Sequence, residues 1–281
     1  MNKAVENFID QTLLDFKIEI PRAFGFKGNA LPLCPRQLFF DHINPQKHIF
    51  PISFNTRYNY HVGQAITALA QETWARQSLL WGDWQCSDKQ NCGVSFKSMR
   101  LEKGLCIRCG ETANYIEKSV SDIETDFTGR VNAVVFCAEL QGYLVFGLRS
   151  RNKNVIASSD APYQGDLYEV SIYAHVLSKK FGLPIAGRVL LWVGKPKPKP
   201  FKFWYFHDTG EKLANDMFEV KRKLTKQIEK GDFLNIEGLC SQISDVEMMD
   251  CPFGEICLSP DREALIQNQL KEFFKNGSQN I

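Results

Sequence analysis

Residues 129–152, GRVNAVVFCAELQGYLVFGLRSRN, hold the pattern that best predicts the fold of this chain. Two apolar runs, 131–137 and 143–148, are separated by a short polar turn that ends at Gly142. Apolar runs of this length on either side of a glycine-containing turn indicate a β-hairpin. The second run ends in an Arg-Ser-Arg-Asn cluster, which is unsuited to a packed apolar core.

This hairpin resembles the centre of the PD-(D/E)XK nuclease superfamily, in particular its RecB-like and CRISPR-adaptation exonuclease branch. In that family the first strand reads G-x-x-D and the second E-x-K; the acidic pair holds Mg²⁺, and the Lys helps to position the attacking water. Here Gly129 is followed by Asn132, and Gly147 and Arg149 replace Glu and Lys. The resemblance implies an α/β restriction-endonuclease-like core, a central mixed sheet flanked by helices, with substituted catalytic residues.

Length and composition indicate one substantial core with room for an insertion. The chain has 281 residues, 44% of them hydrophobic, and a net charge of +2, which by itself does not indicate nucleic-acid binding. No apolar run reaches the roughly 18 residues of a membrane span, and charges interrupt the N-terminal pattern, unlike a secretory signal. Nine cysteines then indicate metal ligation. We expect a cytoplasmic protein in a reducing compartment, with no membrane contact.

The spacing of apolar residues predicts the remaining elements. Helices are predicted over 3–17, 60–80, 166–182 and 211–230, and strands over 187–193 and 201–206. In the second helix the apolar residues expected on the inner side are Val62, Ile66, Leu69 and Trp74.

Two of these helices align with further motifs of the family. One family helix often reads G-x-x-x-H, with the His at the metal site, whereas here Gly63 is followed by Thr67. Another carries Q-x-x-x-Y, and here Glu169 stands in place of Gln while Tyr173 matches. The vestigial site positions that the resemblance implies are Thr67, Asn132, Gly147, Arg149, Glu169 and Tyr173.

The substitutions argue against nuclease chemistry. Mg²⁺ prefers carboxylate oxygens, but Asn132 offers one neutral carbonyl and Gly147 offers no side chain. Arg149 stays protonated and cannot act as a base, although it can bind a phosphate. Mg²⁺ is therefore not expected, and we predict a pseudo-nuclease. The alternative is a relocated metal site, for which nearby carboxylates are Glu124, Asp126, Glu139 and Glu169.

Four cysteines in two pairs give the most specific local signal. Cys86-x5-Cys92 and Cys106-x2-Cys109-Gly, with thirteen residues between the pairs, have the composition of a zinc ribbon. So short a segment has almost no apolar core, so metal binding would have to supply its folding energy. We predict a zinc-ribbon insertion at 85–114 within a nuclease-like domain formed by 1–84 and 115–281. Its basic side chains form either a nucleic-acid surface or a solvated loop; they are Lys89, Lys97, Arg100, Lys103 and Arg108.

A second group of cysteines follows from the family resemblance. The phrase CPRQLFF, which begins at Cys34, looks like the N-terminal iron–sulfur motif of the exonuclease branch. Cys240, Cys251 and Cys257 resemble its cysteine-rich C-terminal tail. The resemblance implies that these four residues ligate one [4Fe-4S] cluster, which requires four thiolates; zinc is the competing metal. Cys137 is most simply a buried structural thiol.

Two basic segments are candidates for nucleic-acid binding. Arg149, Arg151 and Lys153 would line the former catalytic groove. The other set surrounds an aromatic strand that could stack bases; it comprises Lys195, Lys197, Lys199 and Lys202, beside Phe201, Phe203 and Trp204. The alternative for this second set is an edge hairpin guarded by lysines.

Three functions remain open from the sequence. The first is a catalytically inactive exonuclease-like module that binds DNA or docks on a replication, recombination, transcription or viral assembly complex. The second is an active metal-dependent exonuclease of recombination or repair with a relocated site. The third is a structural protein that reuses the fold. A phage or mobile-element source would suit all three, because such genomes carry many diverged members of the family.

Overall fold

The structure is a computed structural model that describes most of the central part of the chain. It describes residues 54–122, 127–195 and 201–230, together with 26–27, 35–36, 232, 236, 259–261, 263–268 and 271. Of residues 26–27, 54–60 and 195 it describes the backbone only. The helix predicted over residues 3–17 lies outside this part.

The helices and strands agree in part with the predicted periodicity: the helix predicted over 60–80 spans 54–76, and Leu80 begins a strand. The helices are α1 Phe54–Arg76, α2 Lys153–Ser158, α3 Gln164–Phe181 and α4 Glu211–Glu229. The strands are β1 Phe26–Lys27, β2 Leu80–Cys86, β3 Ser95–Arg100, β4 Ala113–Ile116, β5 Lys118–Asp122, β6 Phe127–Val131, β7 Ala133–Cys137, β8 Gly142–Asn152, β9 Ile185–Lys195 and β10 Phe201–Phe206. The long helices α1, α3 and α4 and the strands β9 and β10 are those that the apolar spacing predicts.

A seven-stranded mixed sheet forms the centre of the fold. Its strand order is β10-β9-β8-β7-β2-β3, and β4 also pairs with β2. The β7–β8 hairpin is antiparallel, whereas β8 and β9 run parallel and are connected through α2 and α3. Helix α3 packs on β8 and β9, and α4 packs on α3. The predicted central mixed sheet flanked by helices is therefore confirmed.

The two faces of this sheet bury separate apolar clusters. Val145 packs in the cluster that contains α3, whereas its neighbour Phe146 packs beside Trp74 of α1, with ring centroids 4.6 Å apart. Successive residues of a strand point to opposite faces, so α1 and α3 cover opposite sides of β8. The central hairpin thus lies between two helices, with alternate side chains facing each of them.

The first strand of the predicted hairpin is interrupted at Asn132. Residues 131–137 were expected to form one strand, but β6 ends at Val131 and β7 begins at Ala133. Strand β6 belongs to a separate small sheet with the order β1-β6-β5. Asn132 is the point at which the chain passes from one sheet to the other, and its backbone carbonyl accepts a hydrogen bond from the side chain of Gln71 (2.6 Å) instead of continuing a ladder.

The expected inner side of α1 is wrong at one position. Leu69 was expected to face the core, yet it is 66% exposed. The inner side instead carries Gln71, which bonds to Asn132, and Ala75, which is buried. The inner side of α1 thus contacts the central hairpin through the polar side chain of Gln71 as well as through apolar residues such as Trp74.

No helix in the part of the chain that the structure describes is long and apolar enough to cross a membrane.

Candidate metal centre and polar site

The four cysteines of the predicted ribbon lie together in the structure. Cys86 ends β2, Cys92 follows in the next turn, and Cys106 and Cys109 lie in the turn before β4. Their sulfur atoms all lie within 4.8 Å of one another. The closest pairs are Cys86–Cys109 at 3.4 Å and Cys92–Cys106 at 3.7 Å, so the sulfurs are not joined as disulfides.

The spacing of the sulfurs fits tetrahedral metal ligation. A metal–sulfur bond of about 2.3 Å in a regular tetrahedron places the sulfurs roughly 3.8 Å apart. The observed separations of 3.4 and 3.7 Å are close to this value. The cluster is therefore consistent with a four-thiolate metal site.

Glycine shapes both turns that carry the cysteines. Gly93 follows Cys92 with φ +57°, and Gly110 follows Cys109 with φ +79°. Residues other than glycine rarely adopt this left-handed region. The Gly110 N–H donates to the carbonyl of Cys106 (2.8 Å), and the Gly93 N–H donates to the carbonyl of Asp88 (2.8 Å). Each turn thus folds back after its second cysteine and brings two sulfurs together.

The surroundings of the sulfurs raise the pKa of one thiol and lower that of another. Burial raises the pKa of Cys86 to about 12, and its hydrogen bond with Cys109 acts in the same direction. Burial would also raise the pKa of Cys106, but hydrogen bonds from the backbone N–H groups of Cys109 and Arg108 lower it to about 7. A thiolate that accepts two such bonds is prepared to bind a metal.

A second cluster surrounds Arg149, at the polar end of β8. The Arg149 guanidinium donates through Nε to Asp166 Oδ1 (3.0 Å) and through Nη1 to Asn132 Oδ1 (3.2 Å). Its Nη2 forms an ion pair with Glu169 Oε2. One side chain of β8 thus holds three oxygen-bearing side chains, two of them from the first turns of α3.

Both carboxylates have further donors. Asp166 Oδ2 accepts from Arg151 Nη2 (2.7 Å) and from the indole N–H of Trp192 (3.0 Å). Glu169 Oε1 accepts from the hydroxyl of Tyr173 (3.0 Å). The side chains of Asp166 and Glu169 are each only 10% exposed. The cluster is therefore a largely buried network in which two arginines compensate two carboxylates.

The pKa values within the cluster reflect this burial. Burial lowers the pKa of Arg149, but the carboxylates of Glu169 and Asp166 outweigh it and hold that pKa above its usual value. Burial and then the neighbouring Glu169 charge raise the pKa of Tyr173 well above its usual value. Arg149 and Tyr173 thus keep their protons and act as hydrogen-bond donors.

Glycines allow the close packing around the cluster. A Cβ atom on Gly147 would lie 2.7 Å from Leu190 Cδ2 and 3.7 Å from Val170 Cβ, so no side chain fits there in this packing. A Cβ atom on Gly129 would lie 2.5 Å from the ring of Tyr173. Leu190 therefore occupies the space that a side chain at position 147 would need.

The structure brings four of the six vestigial positions into direct contact: Asn132, Arg149, Glu169 and Tyr173 form one hydrogen-bonded network. Gly147 is two residues from Arg149 in β8, and the Thr67 hydroxyl donates to the carbonyl of Gly63 in its own helix (3.1 Å).

Four members of the site were missed from the sequence: Gln71, Glu117, Asp166 and Trp192. Asp166 and Trp192 belong to the network just described, and Glu117 accepts hydrogen bonds from Asn132 Nδ2 and Gln71 Nε2 (both 3.3 Å). Asp166 had a detectable signal, because it lies three residues before Glu169 and so shares its helix face. The other three are distant in sequence, and no spacing indicates them.

The candidate nucleic-acid residues are differently placed. Arg151 is paired with Asp166, and its guanidinium lies 4.8 Å from the ring centroid of Tyr163 and 5.1 Å from that of Trp192. Lys202 donates to the carbonyl of Ser159. Lys153 is exposed at the start of α2. Lys197 and Lys199, and the side chain of Lys195, lie outside the described residues.

The carboxylates considered for a relocated site are separated. Glu139 lies in the β7–β8 turn, where it accepts a hydrogen bond from the Cys137 thiol (3.2 Å). From Gly142 to Arg149 the strand extends roughly 23 Å at about 3.3 Å per residue, so Glu139 does not reach the Glu169 cluster. Glu124 and Asp126 lie outside the described residues.

The second cysteine group, Cys34, Cys240, Cys251 and Cys257, also lies outside the described residues. Close in sequence to Cys34 and Cys240, two other residues contact each other. The guanidinium of Arg36 donates through Nε (3.1 Å) and Nη2 (2.9 Å) to the carbonyl of Ile236. Ile236 is buried. This bidentate contact joins two segments that are 200 residues apart in the chain.

Comparison with known proteins gives no assignment. No protein-family model matches the chain, and no curated protein matches it. Among solved structures, the chain is similar to one described as the crystal structure of SSO0001, with 12% sequence identity, coverage of 92% of this chain and 97% of that chain, and a TM-score of 0.43. A likeness at this TM-score supports no statement about fold or function.

Proposed function

We propose that the chain is a catalytically inactive PD-(D/E)XK nuclease-like protein that docks on nucleic-acid machinery or binds DNA. The motif order and the topology support this proposal. A helix with Gly63 precedes the antiparallel hairpin β7–β8, and the helix with Tyr173 follows before the parallel strand β9. The side chains at the motif positions of the hairpin and the second helix contact one another, as a shared site requires.

The pairing of Arg149 is the observation that carries the proposed inactivity. Its guanidinium donates to Asn132, Asp166 and Glu169, the oxygen-bearing side chains that a divalent cation at this position would need. A cation would have to displace a guanidinium that is bonded to two buried carboxylates. Without a bound metal ion there is no activated water for hydrolysis.

We propose that the four ribbon cysteines hold zinc and that residues 85–114 are an insertion in the nuclease-like domain. The residues that would hold the ion are Cys86, Cys92, Cys106 and Cys109, whose spacing fits a four-thiolate site. Zinc there would supply folding energy to a segment with few buried apolar residues.

We further propose that Cys34, Cys240, Cys251 and Cys257 ligate a [4Fe-4S] cluster. The Arg36–Ile236 contact supports this, because Arg36 follows Cys34 by two residues and Ile236 precedes Cys240 by four. Metal analysis and an absorption spectrum of anaerobically purified protein test it. Iron with a broad visible band is expected, whereas zinc in place of iron would contradict it.

The charge balance of the Arg149 cluster favours docking over DNA binding there. Arg149 and Arg151 are already paired with Glu169 and Asp166, so a phosphate would compete with buried carboxylates. DNA binding would then depend on the lysines at 153, 195, 197, 199 and 202. Such binding would weaken steeply with salt.

A paired binding and cleavage assay tests the proposed function. Single- and double-stranded DNA are incubated with the protein at low salt, and then with Mg²⁺ or Mn²⁺. We expect no cleavage, and either salt-dependent binding or none. Cleavage that is lost in Glu169→Ala would refute the inactive assignment. Binding that is unchanged when Lys153 and the four lysines at 195, 197, 199 and 202 are replaced by alanine would refute these lysines as the DNA surface, whereas no binding at low salt would leave docking.

A further inference from the structure

The four ribbon sulfurs form two close pairs. Cys86 Sγ lies 3.4 Å from Cys109 Sγ, and Cys92 Sγ lies 3.7 Å from Cys106 Sγ. Cys86 and Cys92 flank the turn after β2, whereas Cys106 and Cys109 lie in the turn before β4. Each close pair therefore joins one turn to the other.

The two sulfurs of each pair differ in exposure. Cys86 is fully buried and Cys106 is 2% exposed. In the part of the chain that the structure describes, Cys109 is exposed and Cys92 is half-buried. The space beside Cys109 is also open, because a Cβ atom on Gly110 would meet no atom within 4 Å. A small solute therefore reaches Cys109 most directly, and the buried Cys86 lies behind it.

Backbone pairing holds Cys86 and Cys109 in this arrangement. Cys86 lies opposite Ala113 in the β2–β4 ladder. Beyond it, the Ser87 N–H donates to the Thr112 carbonyl (2.9 Å). A disulfide has an S–S length of about 2.05 Å, so the two sulfurs would have to approach each other by about 1.4 Å. Side-chain rotation supplies a shift of this size and leaves the ladder in place.

We propose that the cluster is an oxidation-sensitive metal site, in which a peroxide oxidises Cys109 and Cys86 then closes a disulfide with it. The inference rests on the zinc site proposed above. The thiolate form that binds a metal is also the form that reacts with oxidants. A cysteine in a disulfide no longer offers a thiolate, so the site would lose two of its four ligands and release the ion.

The peroxide balances the reaction. The Cys109 thiolate attacks one peroxide oxygen, so that an S–O bond forms, the O–O bond breaks and hydroxide leaves, which gives a sulfenic acid. The Cys86 thiolate then attacks the oxidised sulfur, so that the S–S bond forms, the S–O bond breaks and a second hydroxide leaves. The two sulfurs together lose two electrons, and two protons from solvent convert the hydroxides to water.

Peroxide treatment of the zinc-loaded full-length protein tests the proposal. After desalting, elemental analysis measures the zinc that remains, and mass spectrometry maps the disulfides. Trypsin separates all four cysteines, because Lys89, Lys103 and Arg108 lie between them. We expect the loss of about one zinc per chain together with a Cys86–Cys109 crosslinked peptide, and both changes should be reversed by dithiothreitol and zinc. The crosslink assigns the loss to this cluster.

Dimedone, which reacts with sulfenic acids, identifies the sulfur that is oxidised first. It is added to the wild-type protein with the peroxide, so no variant of a metal ligand is needed. We expect labelling of Cys109 to exceed that of Cys106 by about tenfold or more, because Cys109 is the exposed sulfur of this turn. Cys137→Ser is the control, since Cys137 lies outside the cluster, and it should lose zinc as the wild type does.

The outcomes separate failure of the metal site from failure of this inference. If zinc does not protect the four cysteines of the reduced protein from alkylation, the metal site is refuted and the inference with it. If zinc protects them but is retained under peroxide, the inference alone is overturned. Zinc loss with a Cys106–Cys109 crosslink in place of Cys86–Cys109, or with dimedone first on Cys106, overturns it as well.

Discussion

A single arginine organises the polar site. The guanidinium of Arg149 offers donors in a fixed plane, and three acceptors from two elements of the fold surround it. Lysine, the residue of the resembling family at this position, has a compact ammonium that cannot span the same acceptors. Arg149 therefore compensates the two largely buried carboxylates beside it, Asp166 and Glu169.

Removal of Arg149 should destabilise the fold. Arg149→Ala leaves Asp166 with Arg151 alone and leaves the buried Glu169 without a cation, so we expect the free energy of unfolding to fall by about 3–5 kcal/mol. Urea denaturation measures this change. Arg76→Ala is the control, because Arg76 pairs with Glu72 where both side chains are more than half exposed, at 75% and 55%. That variant should differ by less than about 1 kcal/mol, and equal losses in the two variants would contradict the structural role of Arg149.

Tyr173 should make stability depend on alkaline pH. Its pKa is raised in the folded state by burial and by Glu169, so above about pH 10 the unfolded chain releases a proton that the folded chain keeps. Stability is then complete below this pH and falls as pH rises, by up to about 1.4 kcal/mol per pH unit for one group.

Tyr173→Phe should therefore reduce this slope by up to about 1.4 kcal/mol per pH unit as pH rises above about 10. Urea denaturation at a series of pH values measures the slope. Tyr115 also has a pKa raised by burial, so Tyr115→Phe should reduce the slope in the same direction. A Tyr173→Phe slope equal to that of the wild type would contradict the assignment.

At the scale of elements, packing between β8 and its neighbours decides which side chains the site can hold. Gly147 lies against Leu190, which is fully buried, so an added methyl group has nowhere to go. Gly63 of α1 also lies close to β8, but its neighbour is the hydroxyl of Ser150, which can rotate away. Substitution by alanine should therefore be destabilising at Gly147 and tolerated at Gly63.

Gly147→Ala should lower the free energy of unfolding by about 1–3 kcal/mol because the core becomes overpacked. Gly63→Ala, the matched control, should be neutral or stabilising, since alanine favours a helix by about 1 kcal/mol over glycine. Thermal and urea denaturation of both variants measure the difference. A stable Gly147→Ala protein would show that a side chain fits where the family carries its Glu.

Metal removal should unfold the turns that carry the four cysteines and leave the rest of the fold intact. Chelation, or Cys106→Ser, should abolish amide protection in the two cysteine turns, residues 87–93 and 105–112, because the sulfurs hold these turns together. Peptides from α3, whose residues pack in the main apolar cluster, should keep their protection in hydrogen-exchange mass spectrometry. Cys137→Ser, which lies outside the cysteine cluster, should change neither. Retained protection of residues 87–93 and 105–112 without metal would contradict the role of the metal in folding.

The limits of sequence-based prediction are visible in individual elements. Periodicity predicts α3, α4, β9 and β10 because each repeats an apolar pattern over many residues. The apolar pattern places Leu69 inward because it treats every leucine as buried. In the structure Leu69 is exposed, and the inner side of α1 carries Gln71, whose side chain donates a hydrogen bond to the carbonyl of Asn132. The pattern also misses the break at Asn132, since apolar residues continue on both sides of it.

At the scale of the whole molecule, the order of the motifs predicts which elements meet but not how their side chains pair. The four ribbon cysteines were identified because their spacing is local, and the structure brings them together. The ion pairs of Arg149 with Asp166 and Glu169 could not be predicted, because they depend on how α3 is rotated against β8. The structure thus supplies the pairing of these side chains, which the order of the motifs alone does not give.

The measurement that tests this account most directly is a Mn²⁺ titration followed by electron paramagnetic resonance, with the wild-type protein and Glu169→Gln. Mn²⁺ binds where Mg²⁺ would, and free Mn²⁺ gives a distinct signal. We predict that the wild type binds no stoichiometric Mn²⁺ at micromolar concentrations, because Arg149 already holds the oxygens of Asn132, Asp166 and Glu169. One Mn²⁺ per chain, lost in Glu169→Gln, would contradict it and would mean that the guanidinium gives way to a working metal site.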